Sequence, residues 1–192
     1  MQVQEWRKMK RTERIALSAM FVAVMLVLGY IESFIPIGGM PGIKLGLSNS
    51  VLLLSLYWLG IPTSIQLMLL KVVLSGFTFS GVNAMMYALA GGTLSLAFMI
   101  LMIYGLKGVS PIGAGMMGGV MHNVGQVALA MIVLNTTSLL AYMAILMVVG
   151  AVMGAVTGTV AKLLMHHLPP VGARAKDTKN PEGSAPNGSS TP

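Results

Sequence analysis

Lys71, His122, Asn123 and Gln126 lie inside long apolar runs, and Glu32 closes the first such run. Polar or ionisable groups cost several kcal/mol at such positions unless a partner or a hydrated cavity receives them. The chemistry to expect is therefore binding of a polar solute. Lys71 suits an anionic or strongly polar group, and His122, Asn123 and Gln126 would supply hydrogen bonds. Lys71 stands near the middle of its run, with Ser64 before it and Ser75 and Thr78 after it at helical spacing, so one helix face is a polar stripe. A lysine satisfied by carbonyls or by Glu32 is the competing structural reading. His122 and Gln126 are four residues apart, and Gly118 continues their face one turn earlier. Asn123 is offset towards a neighbouring crevice. A purely structural histidine is the alternative here. Asn83 and Tyr87 are also four apart and point to the same region, unless Tyr87 is an interfacial anchor.

The elements that must position these groups are membrane helices. The chain is 55% hydrophobic and 9% charged over 192 residues, and its apolar runs reach the roughly 17 to 25 residues that cross about 30 Å of hydrocarbon. The expected fold is an all-α integral membrane protein with about six transmembrane helices, over 15–33, 45–59, 62–79, 82–104, 112–134 and 139–166. Glycine and proline punctuate the joints at 35–46 and 108–113. The second and third spans are short, so tilted or re-entrant helices are alternatives. The first run has no cleavage site and reads as a retained helix rather than a signal peptide. A basic N-terminus (1–14) precedes the membrane domain (15–168), and a polar, disordered tail (169–192) follows it.

Lysine and arginine concentrate before the first span, between the fourth and fifth, and after the sixth. Both termini are therefore expected in the cytoplasm, and the net charge of +7 is a topology signal rather than a nucleic-acid footprint. With this orientation Glu32, Lys44, Asn49, Asn83 and Tyr87 fall towards the outer half of the membrane, with Lys71 and His122 near its middle. A cavity open to the outside follows, with 35–46 as a glycine-hinged lid. Small residues recur every four positions at Gly150, Gly154 and Gly158, at Gly115 and Gly119, and at Ala84, Ala88 and Gly92. Such stripes let helices approach closely, so the last three helices are expected to form a compact bundle. No cysteine is present, which removes disulfides, thiolate metal sites and a cysteine nucleophile. His166 and His167 lack further ligands for a metal, and no cofactor is expected. The two tryptophans, Trp6 and Trp58, are not placed to stack on a flat cationic ring.

Three motifs carry a family resemblance: PGIKLGLSN over 41–49, YALAGG over 87–92 and HNVGQ over 122–126. In this order they resemble the Gx transporter family, whose members are also labelled component I of heptaprenyl diphosphate synthase. The resemblance covers about 15–164. That family in turn resembles the substrate-capturing S components of energy-coupling factor (ECF) transporters. The likeness implies six helices, cytoplasmic termini, an outward-facing site under a loop, and small residues on the first helix that contact a transmembrane coupling protein driven by ATPases. Ala19 and Ala23, with Ala16 nearby, match that spacing.

Prenyl-chain elongation in its usual family needs clustered aspartates to hold magnesium, whereas this chain has a single aspartate, Asp177, in the tail. It also has no Walker A motif. The chain is thus expected not to be an enzyme. The expected function is a substrate-binding plasma-membrane component that imports a small polar or anionic nutrient or cofactor precursor, energised by a separate ECF-type module. The alternatives are an accessory subunit of a heptaprenyl diphosphate synthase or quinone-pathway complex, and an ion-coupled permease using Glu32 and His122.

Overall fold

Apolar runs separated by glycine and proline fold as helices, because in a bilayer every backbone polar group must be satisfied within its own segment. The computed structural model describes residues 9–34, 47–106 and 108–167. The expected lid, Lys44 within it, and the expected disordered tail lie outside the described residues. Among the described residues there are six α-helices and no strand: α1 (Arg11–Ser33), α2 (Leu47–Trp58), α3 (Ile61–Ser75), α4 (Val82–Ile100), α5 (Pro111–Leu134) and α6 (Leu140–His167). α1 begins four residues earlier than its apolar run, because the Lys10 N–H donates to Glu13 Oε2 (3.2 Å) and caps the first turn. Proline opens α5, where Ser110 Oγ accepts from the Gly113 N–H, and Asn135 closes it in a left-handed conformation.

Two wide π turns were not legible in the sequence. Gly76–Ser80 prolongs α3 and Leu101–Gly105 prolongs α4. The first ends at Gly81, whose φ of 83° turns the chain into α4. With these extensions, five helical segments are long and apolar enough to cross a membrane. At most a third of each one's most apolar window is buried within the protein, so the remainder requires hydrocarbon around it. The chain is a multi-pass membrane protein.

α2, expected as a short second span over 45–59, covers Leu47–Trp58 among the described residues. Its 12 residues rise only about 18 Å. The physical reason is its surroundings: Val51, Leu52, Leu53, Leu54, Leu56 and Trp58 are all buried, as are Ser48, Ser50 and Ser55, so α2 is enclosed by protein. A helix that meets no lipid need not match the bilayer thickness. Phe21 of α1 packs edge-on against Trp58 with ring centroids 6.4 Å apart, and Tyr104 Oη donates to the Leu56 carbonyl (2.8 Å). The turn into α3 is tight, with Gly60 at φ 83°. Across it the buried Ser55 and Ser64 hydroxyls hydrogen-bond at 2.8 Å; one donates to the other, and the accepting hydroxyl gives its own proton to a carbonyl, that of Leu52 for Ser55 or of Gly60 for Ser64.

The last three helices pack through backbone rather than through long side chains. A Cβ on Gly119 would collide with the Gly150 carbonyl, one on Gly154 with the Gly115 carbonyl, and one on Gly158 would lie 2.6 Å from Ile112 Cα. α4 joins this seam through Gly125, where a Cβ would lie 2.8 Å from the Ala90 carbonyl oxygen. The Ala84, Ala88 and Gly92 stripe does something different from what spacing implied. It faces a cavity, and Gly92 looks towards Met68 of α3.

Candidate functional site

The cavity forms where α1 ends and α2 begins, and it is closed on its other sides by α3, α4 and α5. Glu32, in the last turn of α1, is buried at 5% exposure and accepts from the Ser48 N–H at 3.1 Å. That N–H is one of the donors that a helix start leaves without an intrahelical partner. A carboxylate there also meets the favourable end of the α2 dipole. Glu32 therefore fixes the start of α2 and lines the cavity at once. Removing this cap should cost about 1–2 kcal/mol. Glu32→Ala is expected to lower the thermal midpoint of the detergent-solubilised protein by roughly 2–8 °C, while Glu32→Gln, which keeps an acceptor, recovers most of the loss. Equal midpoints for the wild type and Glu32→Ala would remove the capping role.

One turn into the cavity, Lys71 Nζ donates to Asn49 Oδ1 at 3.2 Å and joins α3 to α2. Ser75 follows on the same face and lines the cavity, with its hydroxyl donated to the Val72 carbonyl. The other ends of the expected polar stripe leave this region. Ser64 belongs to the turn described above, and Thr78 is exposed and bonded to the Leu74 carbonyl.

The far wall is α5, and glycine brings it close. A Cβ on Gly91 would lie 2.6 Å from the His122 carbonyl oxygen and 3.1 Å from its ring Cε1, so α4 can approach only without a side chain there. His122 and Gln126 consequently share the cavity with Lys71. Asn123 reaches the cavity edge, and its Nδ2 donates to the Leu146 carbonyl of α6 at 2.7 Å. It ties α5 to α6 as well as lining the site. The space accessible to water is about 100 Å³, enough for several water molecules at roughly 10–15 Å³ each.

Glu32, Asn49, Lys71, His122, Asn123 and Gln126 thus come together from four helices. Asn83 and Tyr87 do not join them. Asn83 is exposed and Tyr87 half-buried, and neither lines the cavity. Their neighbours Ala84 and Ala88 do, and a one-residue offset on a helix turns a side chain by about 100°. Ala19 and Ala23 are exposed on the outward face of α1, as is Ala16. Ser48 and Ser95 are lining residues that sequence reasoning passed over. Ser95 continues the positions 84, 88 and 92 at helical spacing, and a hydroxyl on an otherwise small-residue stripe was the available signal. Among the described residues no cluster of three or more His, Cys, Asp or Glu could hold a metal ion.

A short enclosed helix ringed by five long apolar ones, with a polar chamber at their centre, defines a multi-pass membrane protein with an internal polar cavity. Over residues 21–164 the chain matches the family model for heptaprenyl diphosphate synthase component I, and it belongs to that family. The match takes in most of α1 and α6 and all the helices between, hence every cavity wall. Comparison with curated proteins and with solved structures gave no match.

Proposed function

We propose that the protein is the substrate-binding membrane component of an importer for a small polar or anionic nutrient or cofactor precursor. The observation that carries this reading is the cavity itself, in which Lys71, Asn49, His122 and Gln126 converge at membrane depth. Lys71 pairs with the anionic or most polar group, and His122 and Gln126 hydrogen-bond the remainder. The positive-inside pattern places both termini in the cytoplasm of a plasma-membrane protein and turns the Glu32 end outward. With no nucleotide-binding motif in the chain, the energy comes from a separate ATP-driven module of the ECF type. The exposed Ala16, Ala19 and Ala23 on α1 provide a flat surface for its coupling protein.

The family's description supports a second reading, a non-catalytic subunit that docks a prenyl diphosphate synthase, with the polar chamber holding a lipid head group. The chain is not itself the catalyst in either case, since it has one aspartate and no acidic cluster to hold magnesium against a diphosphate. Native mass spectrometry after gentle extraction from the protein's own membranes separates the two. The importer reading expects a retained small polar molecule and co-purified ATPases. A soluble prenyltransferase bound instead, with no small molecule, would overturn it.

A further inference from the structure

A second, smaller chamber lies beyond the cavity, between α2, α4, α5 and α6, with about 40 Å³ of space accessible to water. That is room for about three water molecules. The two chambers share four residues, Asn49, Ser95, His122 and Asn123, which form the partition between them. Two partition groups are held from outside it, Asn49 by Lys71 and Asn123 by the Leu146 carbonyl.

Ser95 is different. It is only 3% exposed and faces both chambers. Other hydroxyls that line the two chambers, Ser75 and Thr157, donate back to a carbonyl of their own helix. No hydrogen bond of the Ser95 hydroxyl is found among the described residues. Its Oγ is not sealed within protein as the Ser50 hydroxyl is, so it stays open to the chambers and can hydrogen-bond a ligand or water there. Gly118 keeps that space clear, since a Cβ there would lie 3.3 Å from Ser95 Oγ and 2.8 Å from Met99 Sδ. On the far side Thr157 offers its oxygen as an acceptor, its proton being committed to the Gly154 carbonyl.

Charge divides the two chambers. Lys71 and Glu32 line only the outer one, and apart from His122 the inner one has no ionisable side chain. We infer that the inner chamber is a hydrated subsite for a small uncharged hydrogen-bonding group, a hydroxyl or carboxamide, at the far end of a substrate anchored at Lys71. The inference rests on the reading of the outer cavity as a binding site. It adds that the substrate is elongated, charged at one end and neutral at the other, and that Ser95 sets specificity for the neutral end.

The absence of cysteine makes single thiols clean reporters. Ser75→Cys reports the outer cavity, and Ser95→Cys and Thr157→Cys report the inner chamber. Each is treated in proteoliposomes with neutral 2-hydroxyethyl methanethiosulfonate or anionic 2-sulfonatoethyl methanethiosulfonate, and modification is followed by mass. Both reagents should modify Ser75→Cys. The neutral reagent should modify Ser95→Cys and Thr157→Cys at least about tenfold faster than the anionic one. The two inner variants guard against a folding failure in either. If Ser75→Cys reacts while neither inner thiol does, or if the anion reacts equally fast at the inner thiols, the subsite is overturned and the outer cavity stands. If no thiol reacts, both readings fall.

Discussion

Lys71→Ala protein is expected to insert and fold, yet to lose its small-molecule ligand by at least about 30-fold in affinity. Truncating one partner of a buried, charge-bearing hydrogen-bonded contact costs roughly 2–5 kcal/mol, and each 1.4 kcal/mol is a factor of ten in the dissociation constant. The side chain stands about 12–15 Å of helical rise from the start of α3, too far to extend comfortably to an interface, and it is committed to the cavity by its bond to Asn49. Asn49→Ala is the informative companion. It removes the positioning bond while keeping the amine, so its loss should be smaller and partly recovered in Asn49→Asp. Native mass spectrometry or equilibrium binding on the purified variants measures the series. Undiminished affinity in Lys71→Ala would take Lys71 out of the site and leave the importer reading without its anchor.

The largest structural effect is expected at the α5–α6 seam. In Gly154→Val the first added carbon collides with the Gly115 carbonyl and would also lie 2.7 Å from Met116 Cα. Those are backbone atoms, so no rotamer change relieves the contact and the helices must separate. Overpacking of this kind costs about 1–3 kcal/mol or more, and here it also weakens contacts along the rest of the seam. The thermal midpoint should fall by roughly 2–12 °C, or the folded monomer should disappear from size-exclusion profiles. Gly113→Ala on the facing helix, α5, is the control. Its nearest neighbour would be Val109 Cγ1 at an ordinary 3.5 Å, so its midpoint should be unchanged or slightly higher. A normal midpoint in Gly154→Val would mean that the seam does not hold the bundle together.

Some of this was legible in residues and some was not. Lys71, His122 and Gln126 stood out because polarity inside an apolar run is costly, and the helices bring them to one chamber. The glycine repeats in the last two helices identified a backbone-to-backbone contact because only glycine permits it. Asn83 and Tyr87 show what spacing omits. A four-residue interval says that two side chains share a face, but not which way that face turns, and here Ala84 and Ala88 hold the inward direction. Glu32 was legible as a buried carboxylate, whereas its role as a cap depends on Ser48 arriving sixteen residues later in the chain. The π turns depend on local backbone geometry that no residue pattern announces. The enclosure of α2 was half-visible, because a short, mostly apolar helix that also carries serines signals burial only once its neighbours are known.

That enclosure has a consequence for how the protein is made. α2 is synthesised before α4, α5 and α6, the helices that will cover much of it, and its 12 described residues rise about 18 Å, less than the hydrocarbon thickness. Its serines and Asn49 further disfavour insertion as an isolated segment. The Ser55–Ser64 bond and the turn at Gly60 join it to the longer α3, so the pair is expected to insert together as a hairpin. Until the later helices arrive, α2 lacks much of the protein that encloses it in the folded chain.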